Sequence, residues 1–136
     1  MKIYNIKLGT VLDIPNINLA IGNFDGIHLG HQKIIKNLIE NSNENQARPA
    51  ILSFKPHPRQ FFSGNYENFN IISENSKISF LEKLGIEYYF SLEFDHVIAS
   101  LTPEKFIKEI LVNQLKIKNL IVGYNFRFGK DRLGDI

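Results

Sequence analysis

A short apolar run, Ile17-Asn18-Leu19-Ala20-Ile21, leads through a glycine- and histidine-rich turn, Gly22 to His31, into a stretch where Ile34, Ile35, Leu38 and Ile39 recur at helical intervals. The run is brief and rich in branched residues, as a buried strand is, and the downstream spacing is that of one helix face. The segment reads as strand, turn, helix, and the alternation continues along the chain. Pro49 to Phe54 reads as a second buried strand, and Ser73 to Leu84 as a helix with Ile78, Leu81 and Leu84 facing the core and Gly85 as its stop. Ile86 to Ser91 follows as a third strand. Thr102 and Pro103 suit the cap and first position of a further helix, with Phe106, Ile107, Ile110 and Leu111 as its apolar face. Ile117 to Val122 reads as a fourth buried strand ending at Gly123, while Asn41 to Gln46 and the segment from Lys55 to Tyr66 read as loops. Buried strands alternating with helices predict an α/β fold, a parallel sheet with helices on both faces.

At 136 residues the expectation is a single domain, residues 1–136. The net charge of +2 is too small to imply a nucleic-acid partner, although Arg127, Lys130 and Arg132 concentrate enough charge near the C-terminus for a local anion site. Cysteine is absent, which excludes disulfides, thiolate metal sites and a cysteine nucleophile, and fits a reducing compartment. No segment has the length of a bilayer span or a secretory h-region, so no membrane partner is expected and the location expected is the cytoplasm.

In parallel α/β sheets ligands bind beyond the carboxyl ends of the strands, and three unusual segments begin at such ends. In the first, Gly22 and Gly26 permit positive φ and a close backbone approach, and the N–H groups opening the next helix favour an anion. His28 and His31 lie three apart, so in a helical first turn both would face that anion and stabilise charge on a transferring phosphate. The same residues also suit a metal pair or a polar helix start, and Asp25 suits either a polar contact or a turn. In the second, Ser53-Phe54-Lys55-Pro56-His57-Pro58-Arg59 is stiffened by its prolines, and with Phe61 and Phe62 behind it offers an apolar wall for a flat ring or simply a rigid loop. The third, Val122 to Asp135, mixes aromatics, glycines and cations. Asn125 there suits a ribose or phosphate contact, whereas Phe126 and Phe128 alternate as a buried edge strand also would.

Together these segments resemble the adenylyltransferase domain of the bacterial bifunctional riboflavin kinase/FAD synthetase family. Its Gly-x-Phe-Asp-Gly-x-His-x-Gly-His segment is matched at Gly22 to His31, its Phe-x-Pro-His-Pro-Arg segment at Phe54 to Arg59, and its Val-Gly-x-x-Phe-Arg-Phe-Gly segment at Val122 to Gly129. The resemblance implies a Rossmann-like nucleotidyltransferase fold that makes FAD and pyrophosphate from FMN and Mg-ATP. It implies catalytic roles for His28 and His31. Gly22, Asn23, Phe24, Asp25, Gly26 and Gly30 would form the ATP pocket with Asn125 and Arg127, and Asn125 would touch the magnesium that ATP carries, with no metal cage built by the protein itself. Pro56, His57, Pro58, Phe62 and Phe128 would line the flavin pocket. The family continues into a Ser/Thr-rich segment that meets ATP and then a riboflavin kinase barrel. With Ile136 last, the expectation is an adenylyltransferase domain incomplete at its C-terminus, no kinase domain, and a separate chain as a possible source of the missing part. The alternatives are a non-catalytic flavin or nucleotide binder and a nucleotidyltransferase for another phosphate acceptor.

Overall fold

A computed structural model describes residues 1–24, 29–56, 58–64 and 74–122. Five strands form one parallel sheet: β1 (Lys2–Ile6), β2 (Ile17–Ile21), β3 (Arg48–Lys55), β4 (Tyr88–Glu93) and β5 (Asn119–Ile121), in the order β1-β4-β3-β2-β5. Helix α1 (Leu29–Glu44) joins β2 to β3, and α2 (Pro58–Ser63) and α3 (Glu74–Leu84) lie between β3 and β4. The stretch from β4 to β5 holds α4 (His96–Ala99) and α5 (Pro103–Lys105), the latter running straight into a π-helix (Phe106–Gln114).

Alternation along the strands builds a core on each face of the sheet. Ala20, Ile51 and Tyr89 point to one face, where they meet Ile35 and Leu38 of α1 and Leu81 of α3. Leu19, Leu52 and Phe90 point to the other, under Ile98 of α4 and Phe106, Ile110 and Leu111 of the π-helix. The α/β architecture with helices on both faces is therefore as the sequence predicts. The strand order explains the division. From β2 the chain steps to β3 and then β4 with helices on one face, and it returns to the other side of β2 with helices on the opposite face, so that the hand of the crossovers is preserved. The reversal sets a switch point between β2 and β5, and open α/β sheets take ligands outside the carboxyl ends of the strands at such a point.

Several elements differ from the sequence expectation. β1 joins the four expected strands at the far edge of the sheet, where only Ile6 of its residues is buried, so its apolar signal is slight. β4 begins at Tyr88: Ile86 N–H still bonds back to the Leu81 carbonyl of α3, and Glu87, just before the strand, donates to the Pro49 carbonyl and accepts from Lys2 N–H. β5 is a short, largely exposed edge strand, not a buried one. Asn41 to Glu44 continue α1 instead of forming a loop: Ser42 Oγ donates to the Leu38 carbonyl, Ala47 N–H to the Ser42 carbonyl, and Gln46 takes the left-handed φ of +52 that ends the helix. Pro58 opens α2 inside the expected loop, proline being suited to a first helical position.

Two helix faces are rotated from the expected ones. Leu84 is exposed and Lys77 is buried, because the inward face of α3 runs through Lys77, Ile78 and Leu81 and the chain turns away at Gly85, φ +105. Thr102 caps α5 as expected, its hydroxyl accepting from Lys105 N–H, but the wider winding of the π-helix exposes Ile107 and buries Gln114. Gln114 then clamps the turn after β1, accepting from Gly9 N–H and donating to the Lys7 carbonyl.

Candidate functional site

The turn leaving β2 is shaped by three consecutive residues. Gly22 N–H extends the ladder to the Leu52 carbonyl at 3.0 Å, and its need for glycine is one of space: a Cβ there would meet the Phe24 ring at 3.2 Å. The positive φ expected of Gly22 falls instead on Phe24, at +54, a conformation that bulky residues avoid. Between them Asn23 behaves as an extra rung of the sheet. Its Nδ2 donates to the Phe54 carbonyl at 3.2 Å and its Oδ1 accepts from Phe54 N–H at 3.0 Å, so the amide joins the β2 turn to the end of β3. Phe24 is buried, and its ring meets His31 edge-on with centroids 5.1 Å apart. His31, half-buried in the first turn of α1, and exposed Gly30 beside it thus stand at the helix start that follows the carboxyl end of β2. Asp25, Gly26 and His28 lie outside the described residues, and the expected pairing of His28 with His31 lies outside them too.

Along the same edge, β3 exits through a cis Lys55–Pro56 bond toward α2. Phe61, half-buried, meets Phe94 at 5.2 Å, and Phe62, 71% exposed, meets Phe61 at 5.3 Å and Phe94 at 5.9 Å. Phe54 closes the group from beneath, 5.5 Å from Phe94. Phe61 and Phe62 thus pack in an aromatic cluster with Phe54 and Phe94, to which His96 also belongs, 4.8 Å from Phe61. No signal in the sequence pointed to Phe94 and His96, which follow β4. An open cavity of about 310 Å³ lies at the carboxyl ends of β1, β3 and β4, lined by Lys7, Thr10, Lys55, Ser91 and Glu93 among others. His57, Asn125, Arg127 and Phe128 lie outside the described residues, as do the side-chain surroundings of Pro58. Among the described residues no three His, Cys, Asp or Glu side chains gather as metal ligands, and no helix is long and apolar enough to cross a membrane.

A polar chain lies under the first turn. Ser53 Oγ donates to Tyr89 Oη at 2.7 Å, Tyr89 Oη donates to Glu74 Oε1 at 2.9 Å, and Lys77 Nζ bridges Glu74 Oε2 at 3.1 Å and the Asn23 carbonyl at 2.8 Å. None of these four side chains was a candidate from sequence, since each looks like an ordinary strand or helix residue until the fold joins them.

The model of the FAD synthetase family matches residues 13–136. The chain belongs to the FAD synthetase family. It is 37% identical over 121 residues to a bifunctional riboflavin kinase/FMN adenylyltransferase of Buchnera aphidicola, covering 89% of this chain and 39% of that protein. A protein of the same name from Haemophilus influenzae is 37% identical over 117 residues, with 86% of this chain and 38% of that one covered. The Bacillus subtilis protein of that name is 34% identical over 113 residues, covering 82% of this chain and 35% of that protein. The chain thus spans about two fifths of the length of the curated relatives it matches. Among solved structures, one described as a macrolide-efflux protein from Streptococcus pneumoniae superposes with a TM-score of 0.84 over 97% of this chain and 44% of that one. At 22% sequence identity that likeness shows the fold alone.

Proposed function

We propose that this chain is an FMN adenylyltransferase. In the reaction a phosphate oxygen of FMN attacks the α-phosphorus of Mg-ATP, the bond from that phosphorus to the bridging oxygen of the β-phosphate breaks, and FAD and magnesium pyrophosphate leave. The observation that supports the reading is that Gly22 to Phe24 leave the carboxyl end of β2, next to the switch of strand order between β2 and β5, and that His31 lies in the first turn of α1, in a chain of the FAD synthetase family. A phosphoryl-type transfer asks the protein mainly to hold reactants in line and to stabilise developing charge. His31, and His28 with it, supplies the charge-stabilising donors. Gly22, Phe24, Asp25, Gly26 and Gly30 shape the ATP pocket, with Asn23 acting through its bonds to Phe54. Asn125 and Arg127 hold the triphosphate, and Asn125 touches the magnesium that ATP brings. Pro56, His57, Pro58, Phe62 and Phe128 receive the isoalloxazine, for which the exposed face of Phe62 beside Phe94 is a stacking surface. FMN and ATP meet in the cytoplasm, where we place the reaction.

Incubation with FMN and Mg-ATP, followed by separation of the flavins and a pyrophosphate assay, tests the reading. FAD and pyrophosphate are expected in equal amounts, with the rate lowered about 100-fold or more in His31→Ala, the scale on which removal of a charge-stabilising donor acts. Flavin fluorescence quenching without turnover would instead mark a binding protein, and clear preference for a non-flavin acceptor would overturn the choice of FMN.

A further inference from the structure

Lys77 is set on α3, 54 positions from Asn23, yet its ammonium reaches the turn after β2. The residue is 4% exposed, and its Nζ is held by the Asn23 carbonyl at 2.8 Å and the Glu74 carboxylate at 3.1 Å, with the Tyr89 ring centroid 6.0 Å away. Burying an ammonium is costly unless its donors are used, so the site is built to keep this cation where it is. The carbonyl it grips is the one immediately before Phe24. Fixing the Asn23–Phe24 peptide helps hold Phe24 at its left-handed φ of +54, which turns the ring inward over Gly22 and against His31. Glu74 is anchored in turn by Tyr89, and Tyr89 by Ser53, so the ammonium is braced against β3 and β4.

We infer that Lys77 is a positioning residue for the nucleotide turn: through the Asn23 carbonyl and the Phe24 ring it sets the pose of the His31 imidazole. The importance of that pose for turnover rests on the adenylyltransferase reading, but the positioning itself does not.

Two readouts separate the two. The ring-proton NMR signals of His31, assigned by comparison with His31→Gln, report the Phe24 ring beside it, and steady-state FAD formation reports the consequence. In Lys77→Met the His31 signals are expected to shift away from their wild-type positions, and kcat to fall at least tenfold with KM for FMN within twofold of wild type. Lys77→Arg is expected to recover most of the His31 signal, and Glu74→Gln, which leaves the ammonium on the Asn23 carbonyl, to retain it. A Lys77→Met protein that melts cooperatively and keeps both the His31 signals and the wild-type kcat overturns the inference. So does a Glu74→Gln protein that loses the signals as fully as Lys77→Met, because Lys77 would then be one half of a structural ion pair. If neither Lys77→Met nor Lys77→Gln folds, Lys77 is a determinant of the fold and the positioning role is rejected. A wild-type protein that makes no FAD yet shows the His31 shift in Lys77→Met removes the adenylyltransferase reading and leaves the positioning in place.

Discussion

Gly22, Asn23 and Phe24 show how much a change of one side chain can move. In Gly22→Ala the new methyl would press on the Phe24 ring, which is itself confined by His31, and the expected loss is about 1 kcal/mol, the lower range for overpacking, read from the urea midpoint. Asn23→Ala removes both amide contacts to Phe54 and is expected to cost about 1 to 3 kcal/mol, since partly buried backbone groups lose their side-chain partners. Asn23→Asp keeps the acceptor for Phe54 N–H and loses the donor, so its midpoint should lie between wild type and Asn23→Ala. At this scale the sequence marked Gly22 and Asn23 as turn residues, and the structure adds what each does in the packing. Glycine and asparagine are turn formers anywhere, and only packing reveals that Gly22 makes room for a ring and that Asn23 substitutes for a strand.

Helix ends belong to the next scale up, where stop and start signals are local but not always written in the usual residues. Gln46 occupies a left-handed position that glycine fills without strain, so Gln46→Gly is expected to stabilise by about 0.5 kcal/mol after the entropy of the freer unfolded chain is counted, visible as a raised melting temperature. Thr102→Ala removes the hydroxyl that accepts from Lys105 N–H and is expected to cost about 1 kcal/mol in the same measurement. The Thr102-Pro103 start was legible because cap and proline preferences act within one turn. The end of α1 was not, because glutamine at the terminating position carries no signal and Ser42 and Asn45 complete the last turn through their own side chains. The exposure of Ile107 was hidden for a related reason: a helical wheel assumes one winding, and the π-helix has another.

For the molecule as a whole the decisive fact is the strand order, which sets β2 beside the switch point and sends β1 to the far edge beside β4. Tyr4 of β1 stacks on Tyr88 and Phe90 of β4 at 6.3 and 5.7 Å between centroids. Removing residues 1–7 would uncover both that aromatic pair and the β4 edge, so the shortened protein is expected to unfold at lower urea and to self-associate with rising concentration in sedimentation velocity. The expected parallel sheet with helices on both faces is present.

What the sequence by itself determined was the succession of strands and helices, the α/β class that follows from it, and the place of the glycine and histidine motif at a strand-to-helix junction. Those follow from periodicity and turn chemistry, which act over a few neighbouring residues. The tertiary structure alone decided which edge β1 takes, that Phe94 and His96 join the aromatic cluster, and that Ser53, Tyr89, Glu74 and Lys77 form one polar chain under the β2 turn. Lys77 and Asn23 are 54 positions apart and Asn23 and Phe54 are 31 apart. A hydrogen bond across such distances has no local pattern, because it exists only once the sheet and helix packing have brought its two ends within about 3 Å.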